Sequence, residues 1–176
     1  MTTSTTEAGI PADDGVRQLT LASPDDPSLR HIGMVGDTYT ILLSGSDTAG
    51  RFAVIDMHVP NQCGPPPHRH DFEETFHVLE GTLEVAFRGV TSTLHAGDTA
   101  NVPANALHAF RNVGDAPVRM LCIVAPAGLE EFFASVGQPV PTRTSPPPAL
   151  SPEERAAQMG RAAALAAQFH VDISGS

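Results

Sequence analysis

The residues best equipped for chemistry fall in one short stretch, Gly64-Pro-Pro-Pro-His68-Arg-His70-Asp-Phe-Glu-Glu74. In an extended strand alternate residues share a face, so His68 and His70 point one way and Arg69 the other. Glu74 has the same parity, and a bend near Asp71 would bring its carboxylate to the two imidazoles. Two nitrogens and one oxygen converging on a point suit a divalent metal. Pro65, Pro66 and Pro67 stiffen the approach and lower the entropy lost in placing both rings. A second stretch, Gly97-Asp-Thr-Ala-Asn-Val-Pro103-Ala-Asn105-Ala-Leu-His108-Ala-Phe-Arg-Asn112, sets a third imidazole at the start of another strand. Glu73 competes with Glu74 for the role of carboxylate; parity with His70 and the distance to Gly81 favour Glu74.

Short strands must carry these side chains. Between Tyr39 and Ala125, runs rich in Val, Ile, Leu, Thr and Phe alternate with turn residues, the pattern of an all-β barrel or sandwich. Strands are expected over 39–44, 52–59, 74–79, 83–87, 91–95, 99–102, 108–112 and 118–125. The breaks between them carry turn chemistry: 44–50, Glu80-Gly81, Arg88-Gly89, Ala96-Gly97-Asp98 and Gly114-Asp115. Eight such strands suit a jelly roll of two facing sheets. Residues 1–30 read as an arm with a short docked strand at 16–21, residues 31–126 as the barrel, and residues 127–176 as a separate tail. In that tail Leu129, Phe132, Phe133 and Val136 mark one face of a short helix. Five prolines between Gln138 and Pro148 then specify an extended strap. Ser151-Pro152-Glu153-Glu154 is a helix start, with Ser as cap, and an alanine-rich helix follows to Phe169. That helix has too few large apolar residues to stand alone, so it packs on the barrel or on a second subunit.

Composition narrows the partners. Twenty acidic residues against ten basic give a net charge of −10, which repels phosphate backbones and excludes nucleic acid as the expected partner. No apolar run is long enough to cross a bilayer. The first fifteen residues are polar and acidic, without the basic start and apolar stretch of a secretory signal, so a cytoplasmic location is expected. Cys63 and Cys122 are then expected to be reduced, Cys63 in a loop and Cys122 in a core strand. His77 has parity opposite to Glu74 and should face outward or an interface; His31, His58, His95 and His170 read as surface imidazoles.

The two chemical stretches resemble the paired motifs of the cupin superfamily, His-x-His-x3-Glu-x6-Gly and Gly-x5-Pro-x4-His-x3-Asn, with 15 residues between Gly81 and Gly97. The resemblance covers roughly residues 37–125. Two positions depart from it: the leading glycine, Gly64, stands four residues before His68 rather than six, and Asn105 replaces an inner glycine. Asn tolerates positive φ better than most residues, so the fold is not threatened. The resemblance implies a cupin jelly-roll barrel, or double-stranded β-helix, with an N-terminal arm and short C-terminal helices. It implies one divalent transition metal (Fe, Ni, Mn, Co, Cu or Zn) held by His68, His70, Glu74 and His108 at one mouth of the barrel. Four ligands on a metal that prefers six leave two positions for water, dioxygen or a bidentate substrate.

Within that superfamily the chain is similar to single-barrel cupins of the quercetin-dioxygenase group. The likeness rests on Ser46-Asp-Thr-Ala-Gly-Arg-Phe52, the proline-flanked histidine pair, Phe76-His-Val-Leu-Glu-Gly81, and the Phe132-Phe133 helix with its proline strap. It implies an oxygenase acting on a small oxygen-bearing molecule of aromatic or polyketide type. Glu74 would then take the substrate's proton before dioxygen cleaves a carbon–carbon bond. Phe76 shares a face with Glu74, and Phe110 with His108, so both are candidate substrate contacts; ordinary barrel packing explains them equally well. Phe132 and Phe133 read as helix docking before they read as a lid. Two other classes stay open: a non-oxidative isomerase, cyclase or lyase using the metal as a Lewis acid, and a binding module without turnover. A homodimer is expected, with arm and tail as material for exchange between subunits.

Overall fold

The computed structural model of the chain describes Ile10 and residues 12–173. Twelve strands are present among the described residues: β1 (His31–Met34), β2 (Asp37–Leu43), β3 (Ala53–Val59), β4 (Arg69–His70), β5 (Glu73–Glu80), β6 (Thr82–Phe87), β7 (Val90–His95), β8 (Thr99–Val102), β9 (His108–Arg111), β10 (Val118–Ala125), β11 (Gln138–Pro139) and β12 (Val171–Asp172). Three α-helices join them: α1 (Gly45–Thr48), α2 (Leu129–Val136) and α3 (Pro152–Ala166). The larger sheet runs β11-β1-β2-β3-β10-β5-β8, the smaller one β7-β6-β9, and β12 pairs with β4 in a ribbon of its own. All pairings are antiparallel, and this is the jelly roll expected from the strand spacing.

Period-two alternation decides which face of each strand turns inward. On β5 the buried residues are Glu74, Phe76 and Val78; on β10 they are Val118, Met120, Cys122 and Val124. Register places Ile55 on β3 opposite Cys122, and Cys122 opposite Phe76, so three strands present one continuous inner surface. Phe76, Ile55, Met57, Leu83 and Met120 are among its largest fully buried side chains. Each stabilises the fold by about 1.5–3 kcal/mol relative to exposure.

The tail completes this core. Leu129, Phe132, Phe133 and Val136 are all buried, and Phe133 lies 4.5 Å from the Tyr39 ring, so α2 is docked on the sheet as the helical spacing required. Glu130, buried on the same helix, accepts from Gly45 N at 2.8 Å and Gly128 N at 2.7 Å, tying α2 to α1. Ser151 caps α3: its side chain accepts from Glu154 N, and Glu154 accepts from Ser151 N. The helix buries only Ala162 and Ala166, and Gln158 bonds Val136 O at 3.1 Å, so α3 rests against α2. A 3-10 turn over Ala167–Phe169 then leads into β12.

Two expectations need correction, and one is refined. No strand forms at 16–21; Val16, Leu19 and Leu21 are exposed, and the β1 edge of the larger sheet is paired by β11. The strap expected after Gln138 supplies that edge with its first two residues, a position proline tolerates because an edge strand can do without an N–H. His31 is not at the surface: it is 5% exposed on β1, a strand not expected, with Nδ1 at 2.8 Å from Thr40 Oγ1. His95 and His170 are exposed as expected, and His58 and His77 are half-buried. The 44–50 break contains the single turn α1.

Candidate metal centre

His68, His70, Glu74 and His108 come together, each offering one donor atom, with all four atoms within 4.8 Å of one another. Two construction routes deliver them. Glu74 and His108 sit on regular strands, the first on β5 beside β10 and β8, the second on β9 beside β6. His68 and His70 arrive on the segment after the three prolines. His68 and His108 exchange backbone hydrogen bonds, each N–H donating to the other's carbonyl at 2.9 Å. The chain then turns at Asp71-Phe72, so that Glu74 meets the histidine pair as parity required.

Local backbone makes this close approach feasible. Gly64 has φ of 138°, and a Cβ there would lie 2.2 Å from Phe110 O, so the segment can lie directly against β9 only if position 64 carries no side chain. Asn105 has φ of 66° and donates its N–H to His70 O at 2.6 Å, so the residue that replaces the motif's glycine does adopt the left-handed conformation. Asn112, fully buried, donates to Val59 O and Ala116 O and accepts from Gly114 N, clamping the turn that follows β9.

The hydrogen bonds fix how the rings face. Nδ1 of His68 lies 3.0 Å from Pro66 O, that of His70 2.9 Å from Phe72 O, and that of His108 2.9 Å from Ala106 O. A carbonyl only accepts, so each Nδ1 carries the proton and each Nε2 of a neutral ring presents a bare lone pair. Two of those atoms, His70 Nε2 and His108 Nε2, lie 3.0 Å from Glu74 Oε2. Lone pairs facing a carboxylate oxygen repel unless a positive charge lies among them, and a divalent cation meets that need with the same atoms. Rings oriented through their second nitrogen are what metal-ligating histidines require. The donor set therefore fits a metal.

Electrostatics show that a proton and a cation compete for the same place. Burial alone would raise the Glu74 carboxyl, but the hydrogen bonds that His108 and His70 donate when protonated at Nε2, the alternative to a cation there, outweigh it and hold the group well below the usual carboxylate range. Desolvation pushes His68 down to about 4, favouring the neutral ring that a ligand must be. Burial also acts to lower His108, yet its hydrogen bond to Glu74 prevails and leaves it above the ordinary imidazole value. Glu73 is not part of the cluster. It is exposed and accepts from Asn101 Nδ2 and Ala104 N, which resolves the choice between neighbouring glutamates.

Phe76 and Phe110 follow Glu74 and His108 inward on their strands. They are 0% and 4% exposed and meet edge to face at 5.3 Å. Three neighbours of the cluster were not singled out from sequence. Phe72 stacks flat on His70 with centroids 4.0 Å apart. Cys122 places Sγ 3.1 Å from Glu74 Oε1; burial and the adjacent carboxylate push its thiol well above the ordinary value, so it stays protonated. The tail strand β12 pairs Val171 with His70 and Asp172 with Arg69, and His170 Nδ1 lies 2.8 Å from Asp71 Oδ2. Alternation on β10 gives the face of Cys122 but not the strand beside it, and nothing local links residue 171 to residue 70. A cleft of about 410 Å³ lies on this side, lined by Asp71, Phe72, Pro126, Phe169 and His170 among others.

Residues 55–124 match the family model of the cupin domain. The chain is 36% identical over 75 residues to the polyketide synthase CurC of Streptomyces cyaneus, spanning 42% of this chain and 49% of that one. It is 28% identical over 128 residues to quercetin 2,3-dioxygenase of Bacillus subtilis, spanning 72% of this chain and 37% of that one. It thus spans half or less of these two relatives. Among solved structures, the polyketide cyclase RemF of Streptomyces resistomycificus superposes with a TM-score of 0.54 at 19% identity, covering 84% of this chain and 99% of that one. That likeness is one of fold. No helix among the described residues is long and apolar enough to cross a membrane.

Proposed function

Since this chain is a cupin, we propose that it is a metal-dependent oxygenase related to quercetin 2,3-dioxygenase, with His68, His70, Glu74 and His108 as ligands of one divalent transition metal and a small oxygen-bearing substrate of aromatic or polyketide type. The observation that carries this reading is the orientation of the three rings. Each has Nδ1 held by a backbone carbonyl, and the Nε2 atoms of His70 and His108 face Glu74. Bound there, a redox-capable cation supplies Lewis acidity toward a substrate oxygen and a path for electrons to dioxygen.

The chain's own residues do the rest. His68, His70 and His108 hold neutral nitrogen donors inward without further reorganisation. Glu74 Oε2 receives the proton of a substrate hydroxyl. Serving as a ligand lowers a carboxylate's proton affinity, so this role requires a Glu74 that is weakly held by the cation or swings away from it. Phe76 and Phe110 supply an apolar, water-excluding wall two residues further along each strand. His68, the least buried of the four, marks the side open to a substrate.

Oxygen consumption with a panel of flavonols and polyketide-type phenols, run on iron, nickel, manganese and cobalt forms, tests the reading. Uptake that depends on both substrate and metal is expected. Turnover of the same panel unchanged when oxygen is removed would replace it with the second reading, a non-oxidative metal-dependent isomerase, cyclase or lyase. Glu74→Gln with metal retained should lose turnover; full activity in that variant rejects the proton-acceptor role. The expected assembly is a homodimer, and a monomer by sedimentation at working concentration rejects it.

A further inference from the structure

Glu74 uses its two carboxylate oxygens differently. Oε2 faces His70 and His108, whereas Oε1 points back into the barrel toward β10. Both Glu74 and the strand behind it are closed to solvent: Glu74 is 2% exposed, Cys122 and Val124 are 0%. The register sets Val124 opposite Glu74 and Cys122 opposite Phe76, so the cysteine lies diagonally across from the glutamate on the same inner face. Among the described residues, the thiol of Cys122 is the hydrogen-bond partner that reaches Oε1, at 3.1 Å. An ionised carboxylate only accepts, so the hydrogen between them belongs to sulfur.

We propose that Cys122 is the positioning residue for Glu74: its S–H holds Oε1 and so leaves Oε2 as the oxygen offered to the histidines and the cation. The proposal rests on the metal reading above. A glutamate side chain reaching a site across several rotatable bonds has two equivalent oxygens, and nothing in its own covalent structure chooses between them. A donor fixed on the central strand makes that choice. It also satisfies an acceptor that would otherwise be buried without a partner, which is costly in a water-free interior. Cysteine suits the place better than a stronger donor would. Its neighbours across the sheet are Ile55 and Phe76, and a thiol packs among them as a small apolar group while still carrying one proton. In this arrangement sulfur is a partner of the ligand and is not itself a ligand.

The experiment uses the full chain with Cys63→Ser, so that Cys122 is the single thiol. In metal-free protein, the infrared S–H stretch should lie below the position of an unbonded thiol and vanish in Cys122→Ala. Titration with cobalt(II) against a competing chelator should show affinity about tenfold lower in Cys122→Ala, as when a partner orienting a metal ligand is lost. Cys122→Ser, which keeps a donor, should recover affinity to within about threefold of the parent, a rescue that a purely packing role does not produce. The cobalt form should show no sulfur-to-metal charge-transfer absorption in the near ultraviolet. An S–H band at the free-thiol position, unchanged affinity in Cys122→Ala, no rescue by Ser, or a charge-transfer band would each overturn the proposal while leaving the metal site standing. A parent protein that binds no cation while showing the displaced S–H band would instead overturn the metal reading, and the positioning role with it.

Discussion

Half of the candidate metal centre is built by the barrel and half is clasped onto it. Glu74 and His108 lie on β5 and β9, strands paired along their length and buried on one face. Their positions follow from the same alternation that makes the core. His68 and His70 belong to a segment whose regular structure is the two-residue strand β4. That segment is held by the backbone exchange with His108, the Asn105 bond to His70 O, the Phe72 stack, and β12 from the far end of the described chain. The first half can be disturbed only by disturbing the fold. The second can loosen while the barrel stays intact, and it carries the least buried ligand. A site built in this way keeps a fixed carboxylate and a more adjustable histidine pair on the side where a substrate would enter.

The sharpest way to test that division is to strike each half and ask which property fails. Phe76→Ala empties a fully buried site between β5 and β9. It should cost about 3–5 kcal/mol of stability, read from the denaturant midpoint. A loss below about 1 kcal/mol would mean that the ring is not core packing and that the barrel half is looser than described.

A second blow to the barrel comes through pH. Asp37 begins β2, is fully buried, and has Oδ1 without a hydrogen-bond partner among the described residues, while Oδ2 accepts from Tyr39 Oη at 3.1 Å. Burial pushes its carboxyl up to about 8, against a small opposing effect of the Tyr39 bond. Below the unfolded value both states hold the proton and the fold has its full stability. As pH rises from there, the unfolded chain releases the proton while the folded one keeps it. Stability therefore falls with rising pH until the folded group also ionises near 8. The loss is on the order of a few kcal/mol. Asp37→Asn should flatten this slope and raise stability near neutral pH. Parallel stability curves for parent and variant across the neutral range would sink the assignment.

How much of this the sequence disclosed follows the same division. Eight strands and both tail helices were legible because burial on one face leaves an alternating or helical pattern in the residues themselves. Glu74 could be preferred to Glu73 by parity alone, and Glu73 does lie outside the cluster. β1, β4, β11 and β12 were not legible. Each is two to four residues long, too short for a period to show, and exists because a distant segment pairs with it. His31 was misplaced for that reason: without β1 there was no strand to bury it. Cys122 was read correctly as a core residue, but its contact with Glu74 depends on strand order, which alternation does not encode. Contacts within a strand can be read from sequence, while contacts between segments chosen by topology had to be seen.

The clasped half should respond in the opposite way to the barrel half. Removing the residues from Val171 onward deletes the partner of β4 and the Asp172–Arg69 ion pair, but it exposes little of the large core. Melting should shift by only a few degrees, whereas metal affinity should fall about tenfold, because His70 loses part of the support that orients it. Equal metal affinity with and without the strand would show that Asn105 and Phe72 suffice to hold the ring.

The smallest effect isolates the ion pair from the strand pairing. Arg69 and Asp172 side chains are 48% and 35% exposed, so their 2.8 Å contact is screened by solvent and is worth at most about 1 kcal/mol. Arg69→Ala should therefore change metal affinity by less than about threefold, and that change should shrink further in high salt. The backbone pairing of Val171 with His70 is unaffected by the substitution and has no such salt dependence. If Arg69→Ala weakened metal binding as much as removing the whole strand, the clasp would be electrostatic rather than a β-ribbon. Tail and barrel would then be joined by charge alone, and salt would release the histidine pair from an otherwise folded protein.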